Sequence, residues 1–175
     1  MARCHPDLTA NYDKEASYDF SDLDHDPSPE GSFERHGTKE AARREEPVCT
    51  IGIAYQAHLG DIRILQQETI TDTKEAQSLG YRRDYIDLYQ IAWGPPDDGK
   101  TFRGPGLFTR QTLEDGDRKG RDGAGSVYVV STGNGGTKEE DCNADGYVNS
   151  IFTIAVSSIN SFNKSLDMVR DALQS

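Results

Sequence analysis

At 175 residues the chain has the length of one domain, yet only 34% of it is hydrophobic and its net charge is −11. That acidity excludes nucleic acid and anionic membrane as favoured partners and suits cations, either calcium or a basic peptide. No run of about 18 apolar residues occurs, so nothing reads as a membrane span.

Residues 1–48 are polar and acidic. Asp7, Asp13, Glu15, Asp19, Asp22, Asp24, Asp26 and Glu30 face only Arg3 and Lys14 in the first thirty positions. Pro27 and Pro29 lack backbone donors and restrain their neighbours, so the stretch predicts loop, or else a disordered acidic tail. From Cys49 the character changes. Thr50–Ala54 and Asp61–Leu65 predict short β-branched strands. Thr71–Leu79 predicts a helix capped by Thr71 or Asp72. Ile86–Ala92 alternates like a strand and stops at Trp93-Gly94-Pro95-Pro96. Leu107–Glu114 predicts a second helix, Ser126–Ser131 a buried strand, Ile151–Ser157 another strand, and Asn163–Leu173 a short terminal helix. Strands alternating with helices imply an α/β fold with a parallel sheet, whose ligands bind beyond the carboxyl ends of the strands.

Several residues at such ends can carry chemistry. Asn134, in the turn after Ser126–Ser131, can aim its side-chain NH₂ at a developing oxyanion, although Asn-Gly is also the commonest turn dipeptide. Trp93-Gly94-Pro95-Pro96-Asp97-Asp98 joins a tryptophan to paired carboxylates able to hold a cation. Asp145 lies in a second acidic turn, Asp141–Tyr147, and a polar surface turn is the plain alternative for both. His36 has no partner nearby in sequence, but catalytic triads assemble in space. Asp19, Asp24 and Asp26 offer oxygen ligands without the EF-hand spacing. Cys4, Cys49 and Cys142 lack zinc-ligand spacing.

These segments together resemble the catalytic domain of the proprotein convertases, the kexin- and furin-like branch of the subtilisin-type serine proteases. The likeness starts at HPDLTANYDKEASYDFSDLDHDPSP and runs through His36-Gly37-Thr38, GIAYQAHLGDIRIL, IDLYQIAWGPPDDGKT, STGNGG and CNADGYVNSIFTIAVSS. It implies a subtilisin-like parallel sheet flanked by helices, with residues 1–162 a partial peptidase domain and 163–175 an unrelated tail. It implies His36 as the triad histidine and Asn134 as the oxyanion donor. Asp97 and Asp145 would receive an arginine before the cut bond. Trp93, Gly94 and Pro95 would form the strand edge along the substrate, and Glu75 and Tyr147 would read a more distant basic residue. Calcium is the implied cofactor, with Asp19, Asp24 and Asp26 at one site, Asp7 at another, and Asp97 with Glu140 at a third. The implied partner is a basic proprotein segment, met in the Golgi or outside the cell by a monomer, although MARCHPDLTANYD has no signal-like apolar segment.

The departures shape the expectation equally. Met1-Ala2-Arg3-Cys4 stands where the family's triad aspartate strand would end, and Ser165 is not in the family's Gly-Thr-Ser turn. Lys39–Glu46 is charged where the family has a helix of small residues, and Arg103 replaces an expected acid. The chain is therefore expected to be an inactive or incomplete peptidase domain. The alternatives are a pseudoprotease that binds calcium and basic peptides, and a plain acidic α/β domain without a ligand.

Overall fold

The computed structural model describes residues 6–28, 37, 54, 56–65, 70–138, 141–162 and 164. The chain divides into two compact units, Met1–Ile70 and Thr71–Ser175.

In the first unit, the short helix α1 (Pro6–Thr9) precedes β1 (Tyr18–Asp19), which pairs in parallel with β2 (Ile62–Arg63). Tyr18 lies opposite Ile62 and Asp19 opposite Arg63. The predicted strand Asp61–Leu65 is thus confined to two residues, and it pairs with a segment whose composition predicts only loop. Side chains hold the pairing where the ladder is short. The Ser17 hydroxyl donates to the Asp13 carbonyl at 2.6 Å and accepts from the Asp61 N–H at 3.0 Å. Leu8, Ala16, Phe20 and Ile64 are buried around it. The predicted strand Thr50–Ala54 lies outside the described residues except for Ala54, which sits in a turn.

The second unit begins with α2 (Asp72–Leu79). Thr71 caps it as predicted: its backbone is extended and its hydroxyl accepts from the Lys74 N–H at 3.3 Å. Strand β3 (Leu88–Ile91) follows, then helix α3 (Leu107–Gly123), β4 (Val127–Ser131) and β5 (Ile154–Val156). The three strands form one parallel sheet in the order β3-β4-β5, with Ile91 opposite Val130 and Val130 opposite Ala155. A parallel pair needs a long crossover, and α3 supplies it between β3 and β4.

Alternation decides which side of the sheet is covered. Tyr89 and Ile91 of β3 and Tyr128 and Val130 of β4 are buried. Tyr128 reaches α2, donating its hydroxyl to the Leu79 carbonyl at 3.0 Å, and stacks on Tyr89 at 5.0 Å between ring centroids. Burial raises the Tyr128 phenol to about 12. On the opposite face Leu88, Ile154 and Val156 are exposed. Each fully buried Leu or Ile on the covered face contributes roughly 1.5–3 kcal/mol by leaving water.

The helices are tied end to end. Asp72, the first residue of α2, accepts from the Phe108 and Thr109 N–H groups, both at 2.9 Å, and from the Thr109 hydroxyl at 2.7 Å. It therefore caps α3, whose own flanking residue, Gly106, has no side chain to do so. The predicted end of α3 at Glu114 is corrected. The helix continues through a charged stretch with Arg118–Glu114 and Lys119–Asp115 pairs at 2.9 and 2.6 Å. It breaks where Arg121 and Asp122 turn left-handed at φ 49° and 55°.

Candidate functional site

The carboxyl ends of β3 and β4 open into two turns that are fastened to each other. Asp97, in the turn after β3, accepts from the Asn134 N–H at 3.0 Å, in the turn after β4. The Asn134 side-chain nitrogen lies 3.5 Å from the other Asp97 oxygen, a long contact, and Lys138 Nζ donates to the Asp97 carbonyl at 2.6 Å. The next residue, Asp98, closes its own turn. The Thr101 hydroxyl at 2.7 Å, with the Lys100 and Thr101 N–H groups at 2.8 and 2.7 Å, draws its carboxyl below the ordinary carboxylate range.

Asp145 comes from a third segment, the turn before β5, and is only 3% exposed. Its Oδ1 accepts from the Tyr147 N–H at 2.8 Å. Its Oδ2 lies close against Gly94, where a methyl group on the glycine would stand 3.2 Å from it. Glycine at 94 therefore lets the chain leaving β3 pass directly over a buried carboxylate. Beside it, Pro95 is buried and Trp93 half-buried.

Glu75 joins this group from α2. It is 6% exposed, on the helix face shared with Ser78 and Leu79. Trp93 Nε1 donates to its Oε1 at 2.7 Å, and the Tyr147 hydroxyl lies 2.7 and 2.8 Å from its two oxygens. Burial pushes the Tyr147 phenol up, and the hydrogen bond and charge of Glu75 push it further. The carboxylate is thus engaged by neutral donors, with the Thr109 hydroxyl a longer 3.4 Å from its Oε2. Of the residues expected at the site, Trp93, Gly94, Pro95, Asp97, Asn134, Asp145, Tyr147 and Glu75 all stand at or beneath the carboxyl edge of the sheet. His36 and Glu140 lie outside the described residues, as does the side chain of Asp7.

The residues expected to bind calcium have partners of their own. Asp19 is fully buried, and its Oδ2 takes Arg63 Nη1 at 2.6 Å while its Oδ1 takes the Ser21 and Asp22 N–H groups at 2.6 and 3.0 Å. Asp24 accepts from the Asp26 N–H at 2.8 Å, and Asp26 from the Ser28 N–H at 3.2 Å. Among the described residues no group of three or more histidine, cysteine or acidic side chains is placed to hold a metal ion. Of the three residues that the resemblance assigns to one calcium, Asp19 has a buried guanidinium as its partner, while Asp24 and Asp26 close local turns. Arg63 was the residue that sequence reasoning missed. Its signal was a cation inside the apolar strand pattern Ile62–Leu65, where an unbalanced charge is costly.

Residues 2–170 match the subtilase family. Over 165 residues the chain is 50% identical to proprotein convertase subtilisin/kexin type 6 of Rattus norvegicus, covering 90% of this chain and 18% of the relative. It is 44% identical to furin of Homo sapiens over 165 residues, covering 90% and 21% respectively. The chain thus spans about a fifth of the length of these curated relatives. Among solved structures, a serine protease of Aeromonas sobria, in complex with a chaperone, superposes with a TM-score of 0.78 at 20% identity, covering 97% of this chain and 32% of that one.

Proposed function

Because this chain belongs to the subtilase family, and within it is part of a kexin- and furin-like peptidase domain, we propose that its carboxyl-edge acids receive an arginine side chain of a proprotein substrate. The observation that supports this most is Asp145, almost fully buried yet lying against the backbone of Gly94 at the end of β3. A carboxylate held there by a backbone N–H, with Asp97 at the neighbouring turn, suits a planar guanidinium approaching along Trp93-Gly94-Pro95. Asn134, at the end of β4, stands where this reading places the donor to an oxyanion.

The reading carries with it a basic proprotein segment as partner, a monomeric state and work in the secretory pathway. No step of it runs through calcium. The test is a titration of the 175-residue chain with a short peptide amide ending in arginine and with its citrulline isostere, which keeps the shape without the charge. The arginine peptide is expected to bind, weakening as salt rises, and the citrulline peptide to bind much less. Equal binding of the two would remove the arginine pocket.

A further inference from the structure

The turns after β3 and β4 are clasped together by their backbones as well as by side chains. The Asp97 carboxylate accepts from the Asn134 N–H at 3.0 Å, the Asp97 carbonyl accepts from Lys138 Nζ at 2.6 Å, and Gly99 packs on the Lys138 backbone. Gly99 is left-handed at φ 71°, and a methyl group there would stand 2.7 Å from the Lys138 carbonyl oxygen, closer than real side chains approach. Asn134 precedes the 3₁₀ turn Gly135–Lys138, and Lys138 ends it. The segment 97–99 therefore holds that turn at both ends. Gly133, left-handed at φ 80°, lets the chain bend out of β4 into it.

The clasp limits what Asn134 can do. A side-chain amide has two N–H donors. The Asn134 Nδ2 lies 3.5 Å from the second Asp97 oxygen, and the residue is otherwise exposed. One donor faces the carboxylate, and the other remains for an acceptor arriving at the carboxyl edge of the sheet. The two acids of this edge thus have different partners: Asp145 lies against Gly94 and Tyr147, and Asp97 against Asn134. A donor fixed before a peptide arrives is spared the cost of being ordered on binding.

We propose that Asp97 is a positioning residue: it works through Asn134, holding that amide toward the terminal carbonyl of a bound peptide, and leaves the arginine contact to Asp145. The proposal rests on the reading of Asp145 as the arginine-receiving acid and of Asn134 as the donor. It is tested with short peptides ending in arginine or citrulline, each as the free acid and as the amide, titrated with the 175-residue chain and its variants. A free acid offers Asn134 a carboxylate, and an amide offers only a neutral carbonyl. Asn134→Ala should lower the acid-to-amide affinity ratio about fivefold. Asp97→Asn keeps an oxygen for the Asn134 N–H and Asp97→Ala does not, while both lose the charge. The ratio in Asp97→Ala should therefore fall about fivefold below that in Asp97→Asn, with most of the arginine-over-citrulline preference kept in both. Gly99→Ala changes no charge and strains the clasp; it should also lower the ratio, and it serves if Asp97→Ala fails to fold. A merely structural Asp97 would weaken every peptide by one factor. Equal ratios in Asp97→Ala and Asp97→Asn, an unmoved ratio in Asn134→Ala, or loss of the arginine preference in Asp97→Asn would overturn the proposal while leaving Asp145 in its role. No preference for arginine in the unmodified chain would overturn the Asp145 reading and this proposal together.

Discussion

The hydroxyl of Tyr147 lies 2.7 and 2.8 Å from the two carboxylate oxygens of Glu75, joining the turn before β5 to helix α2 across the sheet's carboxyl edge. One phenolic proton is shared between two oxygens, and Trp93 Nε1 supplies a second donor at 2.7 Å. Tyr147→Phe removes a donor from a carboxylate that water hardly reaches. It is expected to cost about 1–3 kcal/mol, read as a lower urea midpoint with unchanged slope. An unchanged midpoint would mean that the carboxylate finds its partners elsewhere.

Asp72 gives the second unit an acid-sensitive joint. Burial raises its carboxyl, but the Thr109 hydroxyl and the Phe108 and Thr109 N–H groups outweigh that and bring it below the ordinary 3.8. A carboxyl lowered in the folded state contributes stability above its unfolded value, and that stability is lost as pH falls through the folded one. Asp72→Ala should cost roughly 0.5–2 kcal/mol at neutral pH by uncapping α3, and the gap from the unmodified chain should narrow as pH drops below 3.8. Thermal unfolding at neutral and acid pH measures both. A gap that widens in acid would contradict the assignment.

The Asp19–Arg63 pair predicts how the first unit responds to mutation and to metal. Asp19→Ala takes the nearest carboxylate from a guanidinium that is 8% exposed. The loss should be about 3 kcal/mol, the low end for a broken buried pair because Asp22 remains 2.8 Å away. Calorimetry with calcium should give the same heat for the unmodified chain and for Asp24→Asn. A heat that falls in Asp24→Asn would assign calcium to this loop.

A polypeptide of these 175 residues is expected to bind peptide without cutting it. Covalent catalysis by a subtilase requires an aspartate, a histidine and an activated serine together, and only His36 matches such a position in this sequence. Incubation with a fluorophosphonate should leave the chain unlabelled. Labelling that disappears in Ser165→Ala would show a working nucleophile.

Much of the second unit was legible in the sequence because its signals are local. The Thr71 cap, the alternation in β3 and the β-branched run of β4 each declare themselves within a few residues, and the Trp93–Asp98 turn marks the sheet's carboxyl edge. Where the reading fell short, long-range pairing or charge was the cause. Strand β1 lies in an acidic stretch with loop composition and exists through Ile62 and Arg63, more than forty positions away. The second half of α3 lacks apolar periodicity and is supported by ion pairs four residues apart. The partner of Asp19, Arg63, lies 44 positions away and is brought to it only by the fold. Glu75 could be placed on a helix from sequence, but its partners Trp93 and Tyr147 come together only through the fold.

The central claim, that Asp145 receives an arginine, is tested most directly by a thermodynamic cycle. Binding of an arginine peptide and its citrulline isostere is measured with the unmodified chain and with Asp145→Asn, a change that keeps the side chain's shape. If the carboxylate and the guanidinium meet, the two changes are coupled by about 1.5–3 kcal/mol, the range for a charge-assisted hydrogen bond. Most of the arginine preference is then lost in Asp145→Asn. Additive effects, with arginine preferred equally by both proteins, would contradict the account.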